Sequence, residues 1–122
     1  IPARLRSARS VGGAIVELIV SAVEWVRSEP WRAALLSTPL SRTLSAADTA
    51  APYALCSAFI APYFSAAKEA GLVRPNVELD DAVEYVVRVI HSLLVVPGHR
   101  DRDDAELRRY LRTFVLPSLL VP

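Results

Sequence analysis

LDDAVEYVVRVIHSLLVV (79–96), PGHRDR (97–102) and DDAELRRYLRTFVLPSLL (103–120) follow one another near the end of the chain, and their reading decides the fold. The first block carries two apolar stripes at helical spacing. Ala82, Val86, Val89, Leu93 and Val96 form one; Val83, Val87, Ile90 and Leu94 form the other. They leave a narrow polar edge of Asp81, Glu84, Arg88 and His91, with Glu84 and Arg88 spaced for an i, i+4 ion pair. A surface helix of a monomer shows one apolar face. Two stripes predict cover on two sides: the helix's own domain and a partner, with Val86, Val89, Ile90 and Leu93 as candidates for the partner side.

Pro97-Gly98 stops that helix. Asp103 as N-cap with Glu106 three residues on makes an Asp version of the capping box. The acidic first turn of Asp103, Asp104 and Glu106 suits the positive end of the helix dipole. Leu107, Tyr110, Leu111, Phe114 and Val115 then form an apolar face, and residues 116–121 are almost wholly apolar around Pro117. Two terminal helices this apolar predict an all-α helical bundle in which they build an intersubunit four-helix bundle. Leu107, Tyr110, Leu111 and Phe114 join the expected homodimer interface.

The run from Asp80 to Gly98 resembles the penultimate helix of TetR-family transcriptional regulators. The Asp-rich loop after it resembles that family too, as does Leu107-Arg108-Arg109-Tyr110-Leu111 leading to Phe114-Val115-Leu116-Pro117. The likeness is best over residues 79–120 and looser, but consistent in helix order, from Val11 to Gly71. It implies a bacterial, cytoplasmic one-component regulator such as a repressor, whose last two helices make the homodimer and whose preceding helices enclose an effector pocket. The family's N-terminal helix-turn-helix has no match here, so the resemblance implies a regulatory domain alone. DNA is then reached only through an absent N-terminal domain.

A length of 122 residues supports one domain with a real core, spanning 1–122. Hydrophobic content of 52% and a mean hydropathy of +0.30 are high for that size. A large subunit interface and an apolar cavity account for the excess. With 14 basic and 13 acidic residues the chain has no electrostatic case for binding DNA by itself. Met is absent and the chain opens with Ile1, which points to a fragment or processed product. Only one of the 14 basic residues is Lys, and Ala is abundant, a pattern of GC-rich bacterial genomes.

The single Cys56 cannot form an internal disulfide, so nothing argues for secretion. Glu17 and Glu24 interrupt the apolar run after Arg4, Arg6 and Arg9, which excludes a signal core or membrane span. Residues 1–10 read as a helix tail or linker from the missing DNA-binding domain. A helix over 11–28 turns Ile15, Leu18, Ile19, Ala22, Val23 and Val26 inward. Pro30 starts a short helix over 31–36, and Pro39 stops it. Residues 37–47 form a connector. The helix over 48–70 ends at Gly71, a natural C-cap. Pro52 lies in its first turn, and Pro62 kinks it by freeing the carbonyl of Ala58.

Chemistry has few candidates. Nucleophilic catalysis needs Ser or Cys beside His and an acid, and neither His91 nor His99 stands in such a motif. Cys56 reads as a small hydrophobe. His99, Asp101, Asp103 and Asp104 alternate like a calcium loop, but the loop glycine and distal Glu are missing from their offsets. No enzyme activity, metal or cofactor is expected. Arg108 and Arg109 read as one side of an ion-paired face, with Asp104 and Glu106 as partners.

Trp25, Trp31, Tyr53, Phe59, Tyr63 and Phe64 fall in the helices before the terminal pair. Sites between helices are mostly apolar with a few placed polar groups. Helix face selects Trp25, Trp31, Leu36, Cys56, Phe59, Ile60 and Tyr63 as the expected pocket, with no Arg or Lys on its inner faces. The favoured reading is a regulatory domain that dimerises and binds a small hydrophobic or aromatic effector. The alternative is a purely structural helical dimerisation module whose core is filled.

Overall fold

The computed structural model describes residues 11–32, 46–96 and 98–121. The element at its centre is α1, Val11–Arg27, whose sequence VGGAIVELIVSAVEWVR is apolar almost all the way round. A helix of that kind needs cover on every side. Ile15, Val16, Ile19 and Val20 are almost fully excluded from solvent, and Val11, Ala14, Val23 and Val26 are buried beside them. Val16 and Val20 lie outside the stripe expected from spacing, whereas Leu18 and Ala22 within it are only half-buried. Burial therefore runs round the helix and is not confined to one face.

Three helices supply the cover. They are α2 (Ala46–Glu69), α3 (Leu79–Val95) and α4 (Asp104–Phe114), with a short α5 (Leu116–Leu119) after a break at Val115. All three long helices pack on α1, and α2 also packs on α3. The expected terminal pair, α3 and α4, scarcely touch each other; α1 joins them. Among the described residues there are no strands, only one isolated antiparallel bridge between Val73 and Leu120, so the fold is all-α.

Local signals place most helix ends. α2 ends in a Schellman motif in which Gly71 takes φ 74°, its N–H donates to Lys68 O, and the Leu72 N–H donates to Ala67 O. Asp103 caps α4, its Oδ1 accepting from the Glu106 N–H at 2.8 Å. The reciprocal half of the capping box is replaced by an ion pair between Glu106 and Arg100. Glu84 and Arg88 pair as spaced, at 3.3 Å. α2 begins at Ala46, earlier than expected, so Pro52 lies well inside the helix, as Pro62 does. Pro62 has no N–H to donate to the Ala58 carbonyl, and Ala58 itself is exposed. Residues 30–32 form a helical turn; the rest of the expected 31–36 helix, most of the expected 37–47 connector and residues 1–10 lie outside the described residues.

Two long-range contacts have no local signature. The strand-like stretch after α2 is clamped to the chain's end: Arg74 N–H donates to Leu119 O, Val121 N–H to Leu72 O, and Arg74 Nε to Pro117 O at 2.7 Å. Arg108 of α4 reaches Glu17 of α1, with Nε to Oε1 at 2.7 Å and Nη2 to Oε2 at 3.4 Å. The pair is mostly buried, so the one carboxylate in the middle of α1 meets a bidentate guanidinium.

Core position and hydroxyl position on α1 should respond oppositely to truncation. Ile19→Ala removes a fully enclosed side chain and should cost about 2–5 kcal/mol in urea unfolding followed by circular dichroism. Ser21 is 3% exposed and its hydroxyl has no hydrogen-bond partner among the described residues. Ser21→Ala should therefore be neutral or slightly stabilising. A loss comparable to that of Ile19→Ala would contradict this description of the Ser21 site.

Candidate functional site

The aromatic residues divide into two groups. Phe59 and Tyr63, four apart on α2, stack with ring centroids 5.6 Å apart at 42°. Cys56 and Ile60 adjoin them, Ile60 fully buried and the other three half-buried against the core. Trp25 and Trp31 lie elsewhere. They are 53% and 57% exposed, and the Arg32 guanidinium sits over both rings, 4.0 Å and 5.2 Å from their centroids. Arg32 Nη1 donates to Trp25 O and Ser28 Oγ, fixing this knot at the end of α1. Trp25 and Trp31 of the expected pocket are surface residues stacked on a cation. Leu36 lies outside the described residues.

The clefts open at other places. One of about 360 Å³ runs between α2 and α3, lined by Tyr53, Ala54, Ser57, Asp80, Val83 and Glu84. Another of about 310 Å³ lies where α1 begins, lined in part by Leu72, Arg112, Leu116 and Leu120. Neither is lined by a residue of the expected pocket. The first combines an aromatic ring with Asp80 and Glu84, a mixed lining that a search for aromatic stripes passes over. The i, i+4 spacing of those two acids opposite the uncharged middle of α2 was the available signal.

The dimer candidates also divide. Val86, Leu107 and Leu111 are core residues of the single chain, buried against its other helices, and are unavailable to a partner. Burial on α3 changes along the helix and not from one stripe to the other. Ala82, Val83 and Val86 near its start are buried; Val89, Ile90, Leu93 and Leu94 are half-buried; Val96 just beyond it is 63% exposed. On α4 the Tyr110 and Phe114 rings stack at 5.0 Å on the surface, 36% and 63% exposed. Arg102 lies over Tyr110, 4.5 Å from its centroid.

The reactive groups are scattered. His91 and His99 are both exposed. Among the described residues, no three His, Cys, Asp or Glu side chains are grouped to hold a metal ion. No helix among them is long and apolar enough to cross a membrane. No protein-family model, curated protein or solved structure matches the chain.

Partial burial pushes the Cys56 thiol above its ordinary pKa by desolvating the thiolate. Its reaction with a disulfide reagent such as DTNB at neutral pH should be slower than that of free cysteine, because the thiolate is the nucleophile. The rate should go on rising at pH values where free cysteine has levelled off, and urea should abolish the difference. A native rate above that of free cysteine would contradict the desolvated environment.

Proposed function

We propose that this chain is the regulatory domain of a one-component bacterial transcriptional regulator of the TetR kind, and that it holds two copies together as a homodimer. The observation that carries the reading is apolar surface left open after α1 has been enclosed. Val89, Ile90, Leu93 and Leu94 on the second half of α3 remain half-exposed, and Tyr110 and Phe114 form an aromatic pair on α4. The resemblance over residues 79–120 gives these two helices the same role. In this reading DNA is contacted by a separate helix-turn-helix module, because the balance of 14 basic and 13 acidic residues gives this domain no strong phosphate-binding charge. The protein then works in the cytoplasm.

Effector binding belongs to the same proposal, with a small hydrophobic or aromatic molecule seated beside Cys56, Phe59 and Tyr63. A purely structural dimerisation module is the second reading. It is favoured by Ile60, which is fully packed in the core next to that position, and by the exposure of Trp25 and Trp31. A panel of uncharged aromatic compounds separates the two in a melting-temperature assay. A rise that is saturable and lost in Tyr63→Ala supports the effector site; no rise with any compound supports the structural module.

Substitutions on α3 test the dimer. Leu93→Arg adds charge to the half-exposed end and should give a folded monomer by light scattering coupled to size exclusion. Val86→Arg places an unpaired charge at a fully enclosed position and should unfold the chain, shown by loss of helical circular dichroism. A wild-type chain that runs as a compact monomer at micromolar concentration contradicts the dimer.

A further inference from the structure

The loop before α4 is fastened to that helix at three points. Asp103 caps it, Arg100 pairs with Glu106, and Arg102 lies across the face of Tyr110. Gly98 lets the loop close this tightly. A Cβ there would stand 3.3 Å from the Arg100 carbonyl oxygen and 3.5 Å from Arg102 Nη1. The backbone that carries Arg102 is therefore held close to α4, with the guanidinium over Tyr110.

That guanidinium is unusual in its surroundings. Among the described residues no carboxylate or carbonyl accepts a hydrogen bond from it; it lies against the Tyr110 ring. One turn further on, Phe114 leans on Tyr110 and leaves most of its own surface open. The patch thus holds a half-buried cation without an acceptor and an aromatic ring without a cation. A guanidinium has two faces and can stack on two rings. A two-fold pairing that seats Arg102 of one copy on Phe114 of the other does so twice, because in an isologous interface each contact recurs with the copies exchanged.

We propose that Arg102 is a specificity-determining residue of the dimer, held between its own Tyr110 and Phe114 of the second copy. The inference rests on the homodimer reading above and names the contact that selects another copy of this chain over other apolar partners. Two such contacts form per dimer. Removing both should weaken the dimer roughly tenfold or more, by the usual strength of a cation over an aromatic ring.

Sedimentation equilibrium of the full chain tests this through a double-mutant cycle of Arg102→Ala and Phe114→Ala. Each single substitution should raise the dissociation constant about tenfold or more, and the double variant should be little weaker than the stronger single one. Arg102→Lys, which keeps the charge but loses the planar face, should fall between wild type and Arg102→Ala. Arg109→Ala, on the exposed polar side of α4, should leave association unchanged. Circular dichroism must show all variants folded; if Arg102→Ala does not fold, the Arg102→Lys and Phe114→Ala pair completes the cycle. A wild-type dimer with an unaffected Arg102→Ala variant, or with strictly additive effects, overturns the Arg102 contact and leaves the dimer standing. A monomeric wild type overturns the dimer reading and the contact with it.

Discussion

Everything in this fold depends on enclosing α1. Its residues 14–23 offer apolar side chains in nearly every direction, with Glu17 as the only charge among them. Three helices are the least that can close around such a rod, and the chain supplies three: α2, α3 and α4. The exception at Glu17 is handled locally. A mostly buried carboxylate without a partner would be costly, and Arg108 meets it with two nitrogens from the opposite helix. With α4 in this rotation Leu107 and Leu111 are turned inward as well.

The rotation has a consequence for the outer surface. With Leu107 and Leu111 committed to α1, Tyr110 and Phe114 fall on the flank of α4 and remain exposed. α3 buries Ala82, Val83 and Val86 in its first half, while its second half has apolar residues with incomplete cover. The chain therefore completes its core before it has used all its apolar surface. Part of the remainder sits on α3 and α4, and part on Trp25, Trp31, Leu55 and Leu72 elsewhere in the chain. An obligate interface of this kind buries roughly 2,000 Å² or more.

Features set by nearby residues were legible in the sequence. Gly71 ends α2 because a left-handed residue is needed there, Asp103 starts α4 because it can reach the Glu106 N–H, and Glu84 finds Arg88 one turn away. Features set by distant residues were not. Nothing near Arg108 announces Glu17, and Asp104 four residues before it is the more obvious partner in sequence. Trp25 matches the helical spacing of a core residue, yet it belongs to the end of α1, where Arg32 folds back over it. Val86 and Leu93 share a stripe, but their positions along the helix decide which is enclosed. Spacing reports which side of a helix is apolar; it carries no information on where the neighbouring helix ends.

The central claim is that α1 is sealed within one chain while the second half of α3 and the Tyr110–Phe114 flank are sealed by another. Amide hydrogen exchange followed across a dilution series addresses both halves of that claim at once. The account predicts slow exchange of residues 14–23 at every concentration at which the chain stays folded, with protection of residues 89–95 and 110–114 falling as the protein is diluted. Protection of those two segments that does not change with concentration, while α1 stays protected, would contradict it.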